Sequence, residues 1–426
     1  MSKYLIFLFL LQLWPSMAQA QGLGAGAKLD ELITEALSNN PQLAAARQAS
    51  SAARARIDQA TSLDAPQAGV EFFQTPVKSF PNPIKDGMET DYYIQQMIPF
   101  PGTLAGMGKA AGNYADMAGQ EYKALERKII RDLKAAYYKL YFVEREIGIN
   151  REIQDLLEEL NRIASINYEV GKGDQAGILR IQTELSTLRI DELNLDKEKK
   201  VTMAMVNTIL GRPAGSDIDP AEDIRQEIPP LSLHRLDSLA LQTRPELRGM
   251  ESNIKMNEAE LFVSKRELFP EFMLRFMYKD MKMTGNDYWS TMIGFTVPQA
   301  FWSRAKYRAK VEESRINIQK AEEEYENMRN MVVFQVHEAF ENLQANSKII
   351  RYYQDNLLPQ AEQTMQSTIA AYRAGTMDFL MAMDAVRMFF ESRLDYQKGI
   401  MDCMVSLADL EQAVGTDMLR PAVKTD

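Results

Sequence analysis

The sequence is written twice, and this limits its fold more than any other feature. Seven pairs recur at one offset. Leu29 and Leu233, Pro41 and Pro245, Pro66 and Pro270, Tyr168 and Tyr372, Gly171 and Gly375, Asp174 and Asp378, and Gly211 and Gly415 are each 204 residues apart. The units open on LDELITEALSNNPQL at 29–43 and LHRLDSLALQTRPEL at 233–247. Chance supplies one or two such coincidences, not seven spread along a unit, and a repeat of this kind decides the architecture. The expected organisation is a first repeat at 21–213, a second at 232–415, a Pro- and Asp-rich linker at 214–231 and a tail at 416–426.

Each unit reads as helix, two short strands, very long helix, turn and helix. The first helices are expected over 29–63 and 233–268, with Pro66 and Pro270 ending helical geometry. The apolar period then changes from about 3.6 to 2. Phe272, Leu274, Phe276 and Tyr278 share one face, against Met273, Arg275, Met277 and Lys279. Trp289, Thr291, Ile293, Phe295 and Val297 likewise oppose Ser290, Met292, Gly294 and Thr296. The first unit's equivalents, near 69–74 and 90–98, alternate less cleanly. Loops rich in Pro, Gly, Asn and Asp (PVKSFPNPIKDGME, KMTGND) join each pair as a hairpin requires.

From Pro101 no proline appears until Pro213. A helix over 103–170 is about 100 Å long at 1.5 Å per residue. No globular core buries such a rod, so its apolar stripe needs other helices beside it. Ile129, Leu133, Ala136, Leu140, Val143 and Ile147 form that stripe. After a register shift, Ile149, Ile153, Leu156, Leu160 and Ile163 continue it, a coiled-coil seam with a break. The class is mainly α with a small β part.

Strands of 8 to 10 residues match the length a tilted strand needs to cross an outer membrane, about 9–11 residues. Four strands cannot close a barrel, and an open sheet in lipid leaves edge N–H and C=O groups unpaired. Several chains must therefore share one barrel, and the residues alone allow two, three or more copies. A soluble protein with two small hairpins under long helices is the competing arrangement.

Residues 1–20 (MSKYLIFLFLLQLWPSMAQA) have the charged, apolar and small-residue order of a secretory signal peptide, with cleavage expected after Ala20. Cys403 is the sole cysteine, so no intramolecular disulfide is expected and it reads as a small core residue. A net charge of −10 offers no basic excess for nucleic acid. There is no catalytic constellation, no phosphate loop, no zinc spacing and no implied cofactor. His337 and Glu341 lie i, i+4 on a helix but lack further ligands, and read as solvated or interhelical. Methionines crowd the last helix (Met377, Met381, Met383, Met388, Met401, Met404). They read first as flexible core filler, although thioethers also ligate soft metal ions.

The duplicated order, with YEVGKGD at 168–174 and AYRAGTMD at 371–378, resembles the TolC outer-membrane factor family over about 29–415. The resemblance implies a homotrimer: a shared twelve-stranded barrel, four strands per chain, continued by a periplasmic tunnel of twelve helices. It implies an outer-membrane location, contact with membrane lipid, and a passive efflux conduit linked by a periplasmic adaptor to an inner-membrane pump. The linker would join an equatorial belt. Metal cations are the favoured cargo; type I protein secretion and a non-channel coiled-coil scaffold are the alternatives.

The two glycine turns then become the periplasmic tips. Gly171 and Gly375 supply the positive φ that a helix–helix turn demands, and Asp174 and Asp378 are placed to cap the returning helices. By resemblance, Tyr168, Gly171, Lys172, Gly173, Asp174, Tyr372, Arg373, Gly375, Thr376 and Asp378 form the adaptor-docking tip, and Asp384 lines the entrance constriction. Two family positions depart: Met377 stands where an arginine is usual, and Gly177 where an aspartate is usual. Arg373 or Lys172 would have to supply the closing bonds instead.

Overall fold

A computed structural model describes residues 29–84, 86–171, 174–219, 231–282 and 285–417. The signal peptide, Lys172, Gly173, most of the expected linker and most of the tail lie outside the described residues.

The first expected helix is two helices, in both repeats. α1 (Leu29–Asn39) and α2 (Pro41–Thr61) match α5 (Leu233–Thr243) and α6 (Pro245–Arg266). Proline explains the correction, since it lacks the N–H and pushes the preceding residue out of helical geometry. Asn40 and Arg244 both sit at ψ 120°. Asn40 Oδ1 accepts from the N–H of Gln42 and Leu43 at 2.9 and 3.0 Å, and Asn40 Nδ2 donates to Ile209 O at 2.8 Å. In the second repeat Arg244 Nη1 donates to Gln412 O at 2.9 Å, across the same junction. Gly211 fits there because a Cβ would lie 2.6 Å from Asn39 O. The repeated prolines and the repeated helix-end glycines are thus halves of one contact, made twice.

α3 (Thr103–Glu169) runs 67 residues without interruption. The expected break in its stripe is no kink; the buried face turns from one core to another. The upper core takes Leu133, Ala136 and Tyr137 of α3 with Leu43, Leu210, Leu247 and Leu410. The lower core takes Leu157 and Leu160 with Ile181, Ala382 and Val386. α3 packs on α2 and α6 toward its start, and on α4 (Gln175–Leu210) and α9 (Phe379–Val414) from the upper core down to the turns.

Its counterpart is interrupted. α7 (Arg304–Tyr352) passes through one π turn (Tyr353–Leu357) into α8 (Leu358–Arg373). Leu358 N–H bonds back five residues to Tyr353 O, just before Pro359, which has no N–H to give. The buried Leu133, Ala136, Leu140 and Ile147 recur 203 residues on as the buried Val336, Ala339, Leu343 and Ile350. Below the turn the offset is 204, as at Tyr168 and Tyr372. The π turn absorbs that one extra residue.

The strands are β1 (Gln67–Phe73), β2 (Glu89–Ile98), β3 (Phe272–Met281) and β4 (Asn286–Phe295), antiparallel in the order β1-β2-β3-β4. β4 begins earlier than its alternation suggests, because the tight second hairpin pairs Met281 with Asn286, and Val297 falls outside it.

One charged pair is buried between α3 and α9. Lys134 Nζ pairs with Glu411, their side chains 11% and 6% exposed, and Asp417 lies 3.9 Å away. Burial and the Glu411 charge raise the pKa of neighbouring Tyr138. Lys134→Met should cost about 3–5 kcal/mol by removing the cation from the buried Glu411 carboxylate. Thermal unfolding followed by circular dichroism should show the loss, with most of it recovered in Lys134→Met/Glu411→Leu.

Candidate functional site

The two turns lie at one end of the helical body, built alike but not identically. Gly171 and Gly375 have φ of 74° and 73°. At the second turn, Gly375 N–H bonds Tyr372 O, and Thr376 N–H and Oγ1 both reach Ala371 O at 3.0 Å. This is a Schellman closure reinforced by a hydroxyl. Asp174 caps α4 as expected, its Oδ1 accepting from Gly177 N–H at 2.9 Å. Asp378 does not cap α9. It has the extended geometry of a cap residue (ψ 148°) but its side chain makes no cap bond.

The tyrosines part company. Tyr168 is exposed, whereas Tyr372 is buried with its ring 5.7 Å from Phe379. Burial, and then the charges of Asp174 and Asp378, raise the Tyr372 pKa, which keeps the phenol protonated. The same packing explains Gly177. A Cβ there would touch the Phe379 ring at 3.5 Å and crowd Asp174 Oδ1 at 3.1 Å, so an aspartate at this position would have to shift the Asp174 carboxylate that caps α4.

Ion pairs lace the hairpins together above the turns. Arg373 pairs with Glu159, Arg393 with Glu152, and Arg387 with Glu184 at 3.3 Å. Arg373, expected as a replacement closing residue, is therefore tied to α3 of its own chain. Asp384 is exposed on α9, one face carrying Met381, Asp384 and Met388 at steps of 3 and 4. His337 pairs with Asp237 at 3.1 Å. Among the described residues, no three His, Cys, Asp or Glu side chains cluster as a metal site.

Apart from Asp280 and Asp287, which face each other at the hairpin-loop end of β3 and β4, the sheet keeps its charged side chains on one face. Register puts Val70, Tyr92, Tyr278 and Trp289 in one row, Leu274 beside Ile293, and Ile98, Phe272 and Phe295 in another. All of these are exposed, Trp289 by 72% and Ile293 by 73%. The opposite face carries Glu71, Glu89, Asp91, Lys279, Arg275, Gln95 and Gln67. Sequence alternation had put Arg275 and Lys279 on the non-aromatic side without showing their partners, which only the register supplies.

Gly375→Val should strain the second turn by about 1–3 kcal/mol, since a β-branched residue resists positive φ. Faster hydrogen exchange of the amides around 372–378, with the upper helices unchanged, is the expected reading.

The outer membrane efflux protein family model matches the chain twice, over residues 32–212 and 236–416. Nodulation protein T of Rhizobium leguminosarum bv. trifolii is 19% identical over 308 residues, which span 67% of this chain and 63% of that protein's length. Among solved structures, CusC superposes with a TM-score of 0.79 at 18% identity, covering 93% of this chain and 96% of that one. The outer membrane protein VceC of Vibrio cholerae gives 0.77 at 16% identity, covering 91% and 96%. At such identities the superpositions speak for the fold, and the doubled match speaks for the family. The chain belongs to the outer membrane efflux protein family, whose members are channels and not enzymes.

Proposed function

We propose that three copies of this chain form one outer-membrane efflux conduit. The carrying observation is the sheet: four strands with an exposed apolar face, a charged opposite face and two open edges, β1 and β4. In lipid an open edge is prohibitive, and pairing β4 with β1 of a second copy closes the ladder. Three copies give twelve strands, with the apolar face to lipid and the charged face to the lumen. Exposed Phe301 and Trp302 just below β4, with Tyr92, Tyr278 and Trp289 toward the hairpin loops, suit the aromatic girdles of such a barrel. No helix among the described residues is long and apolar enough to cross a membrane.

The helices support the same closure. Long helix α3 packs along α6 and α9 of the other repeat, but α7 has no equivalent packing along α2 or α4 within the chain. Exposed Ile190 and Val201 of α4 correspond, 204 residues on, to Leu394 and Val405, which pack into the cores. A neighbouring α7, with exposed Met331, Phe334 and Tyr352, supplies the missing partner. Native mass measurement in mild detergent should give three chains, and a monomer would overturn the closure.

The tip residues Tyr168, Gly171, Asp174, Arg373, Gly375, Thr376 and Asp378, with Lys172 and Gly173 between them in sequence, form, in this reading, the docking surface for a periplasmic adaptor, and the buried Tyr372 supports the second turn from within. That adaptor joins the conduit to an inner-membrane pump. Asp384 lies nine residues beyond Gly375 and five beyond Phe379, where α9 begins, about 8 Å along that helix. Three copies make a carboxylate ring at the entrance that favours cations. Exposed Met381 and Met388 flank it with soft thioethers, which supports metal cations as cargo. In planar bilayers, Asp384→Asn should weaken cation selectivity and relieve block by trivalent cations from the tip side. Unchanged selectivity and block would remove Asp384 from the lumen.

A further inference from the structure

The charged face of the sheet holds five charged side chains, and four of them group near the hairpin loops. Lys279 Nζ lies 2.7 Å from Glu89 Oε1 and 3.0 Å from Asp91 Oδ2, and Glu71 stands opposite Asp91 in register. Arg275 stands apart, four residues nearer the helices, about 13 Å along the strand.

Its surroundings are built to hold a guanidinium without neutralising it. Arg275 Nε–H and Nη2–H both donate to Gln95 Oε1, at 2.9 and 2.6 Å. Gln95 in turn donates through Nε2 to Gln67 on β1, so one hydrogen-bonded chain crosses three strands. The guanidinium lies 4.5 Å from the centroid of the Tyr93 ring. That ring lies against Gly69, where a Cβ would come within 2.5 Å of its Cζ and Oη. Four residues thus fix the arginine, and none is a carboxylate. Among the described residues Arg275 makes no ion pair, and Nη1 has no acceptor. The Nε/Nη2 side is occupied by the amide oxygen. The Nη1/Nη2 end is left open, and that fork geometry matches a carboxylate, phosphate or sulfonate.

We propose that Arg275 is an anion-binding station on the inner wall of the barrel, one per chain, which engages the oxyanion group of a solute in transit. This rests on the charged face being the lumen. Gln95, Gln67 and Tyr93 are positioning residues: they hold the fork in place and leave its charge intact. The lumen then carries two signs in series along its axis, a carboxylate-rich band near the hairpin loops and a guanidinium ring deeper in.

The test uses the full-length protein in planar bilayers, with inorganic tripolyphosphate added on the hairpin-loop side. Wild-type conductance should fall reversibly. Arg275→Gln should raise the half-blocking concentration about tenfold through loss of a charge-assisted fork. Arg275→Lys keeps the charge but not the fork, and should raise it about threefold. Should the Gln variant fail to insert, the Lys variant is read in its place. Channels that conduct but are blocked equally in wild type and variant, or not blocked at all, overturn the station while leaving the conduit standing. A wild-type protein that forms no channel overturns the lumen reading and the station with it.

Discussion

A helix of 67 residues must find its stability outside itself, because an isolated rod buries almost none of its apolar surface. α3 meets that demand with different neighbours along its length. Toward its start α2 and α6 flank it, one from each repeat; from the upper core down to the turns α4 and α9 do so. The duplicated sequence thereby becomes a single body rather than two domains on a string. The Lys134–Glu411 pair lies in the same seam, so even its buried charge spans the two repeats.

The two copies of the unit have not stayed alike. One extra residue in the second long helix is taken up as a π turn at Tyr353–Leu357, and Tyr353 Oη there donates to Asp395 of α9 at 3.1 Å. At the tips, Tyr372 packs on Phe379 while Tyr168 is exposed, and Asp174 caps where Asp378 does not. Repetition fixes the path of the backbone, and departures from it mark where the two hairpins have different neighbours.

The sheet follows a different logic. One face carries a row of exposed apolar side chains, and the charged ones of the other face are matched across β2 and β3, the strands that join the two hairpins. Lys279 bridges Glu89 and Asp91, and Arg275 reaches Gln95. The seam is therefore held by polar contacts on one face and by ladder hydrogen bonds through its middle, which leaves the apolar face free for the surroundings.

Periodicity and repetition were enough to determine the duplicated architecture, the long helix, the glycine turns and the alternating strands, because each rests on backbone geometry and local apolar spacing. Both prolines were visible too, yet the breaks at Asn40 and Arg244 were missed, since a proline can sit inside the first turn of a helix as readily as divide two. What only tertiary structure decided is pairing. Alternation puts Arg275 on a face but cannot choose its partner on β2, about 180 residues away in sequence. Gly177 looks like a lost aspartate until the Asp174 carboxylate is seen bonded to its N–H and close to where a Cβ would stand. Such contacts depend on register and on side chains brought together from distant segments, and these are fixed only when the two repeats pack as one body.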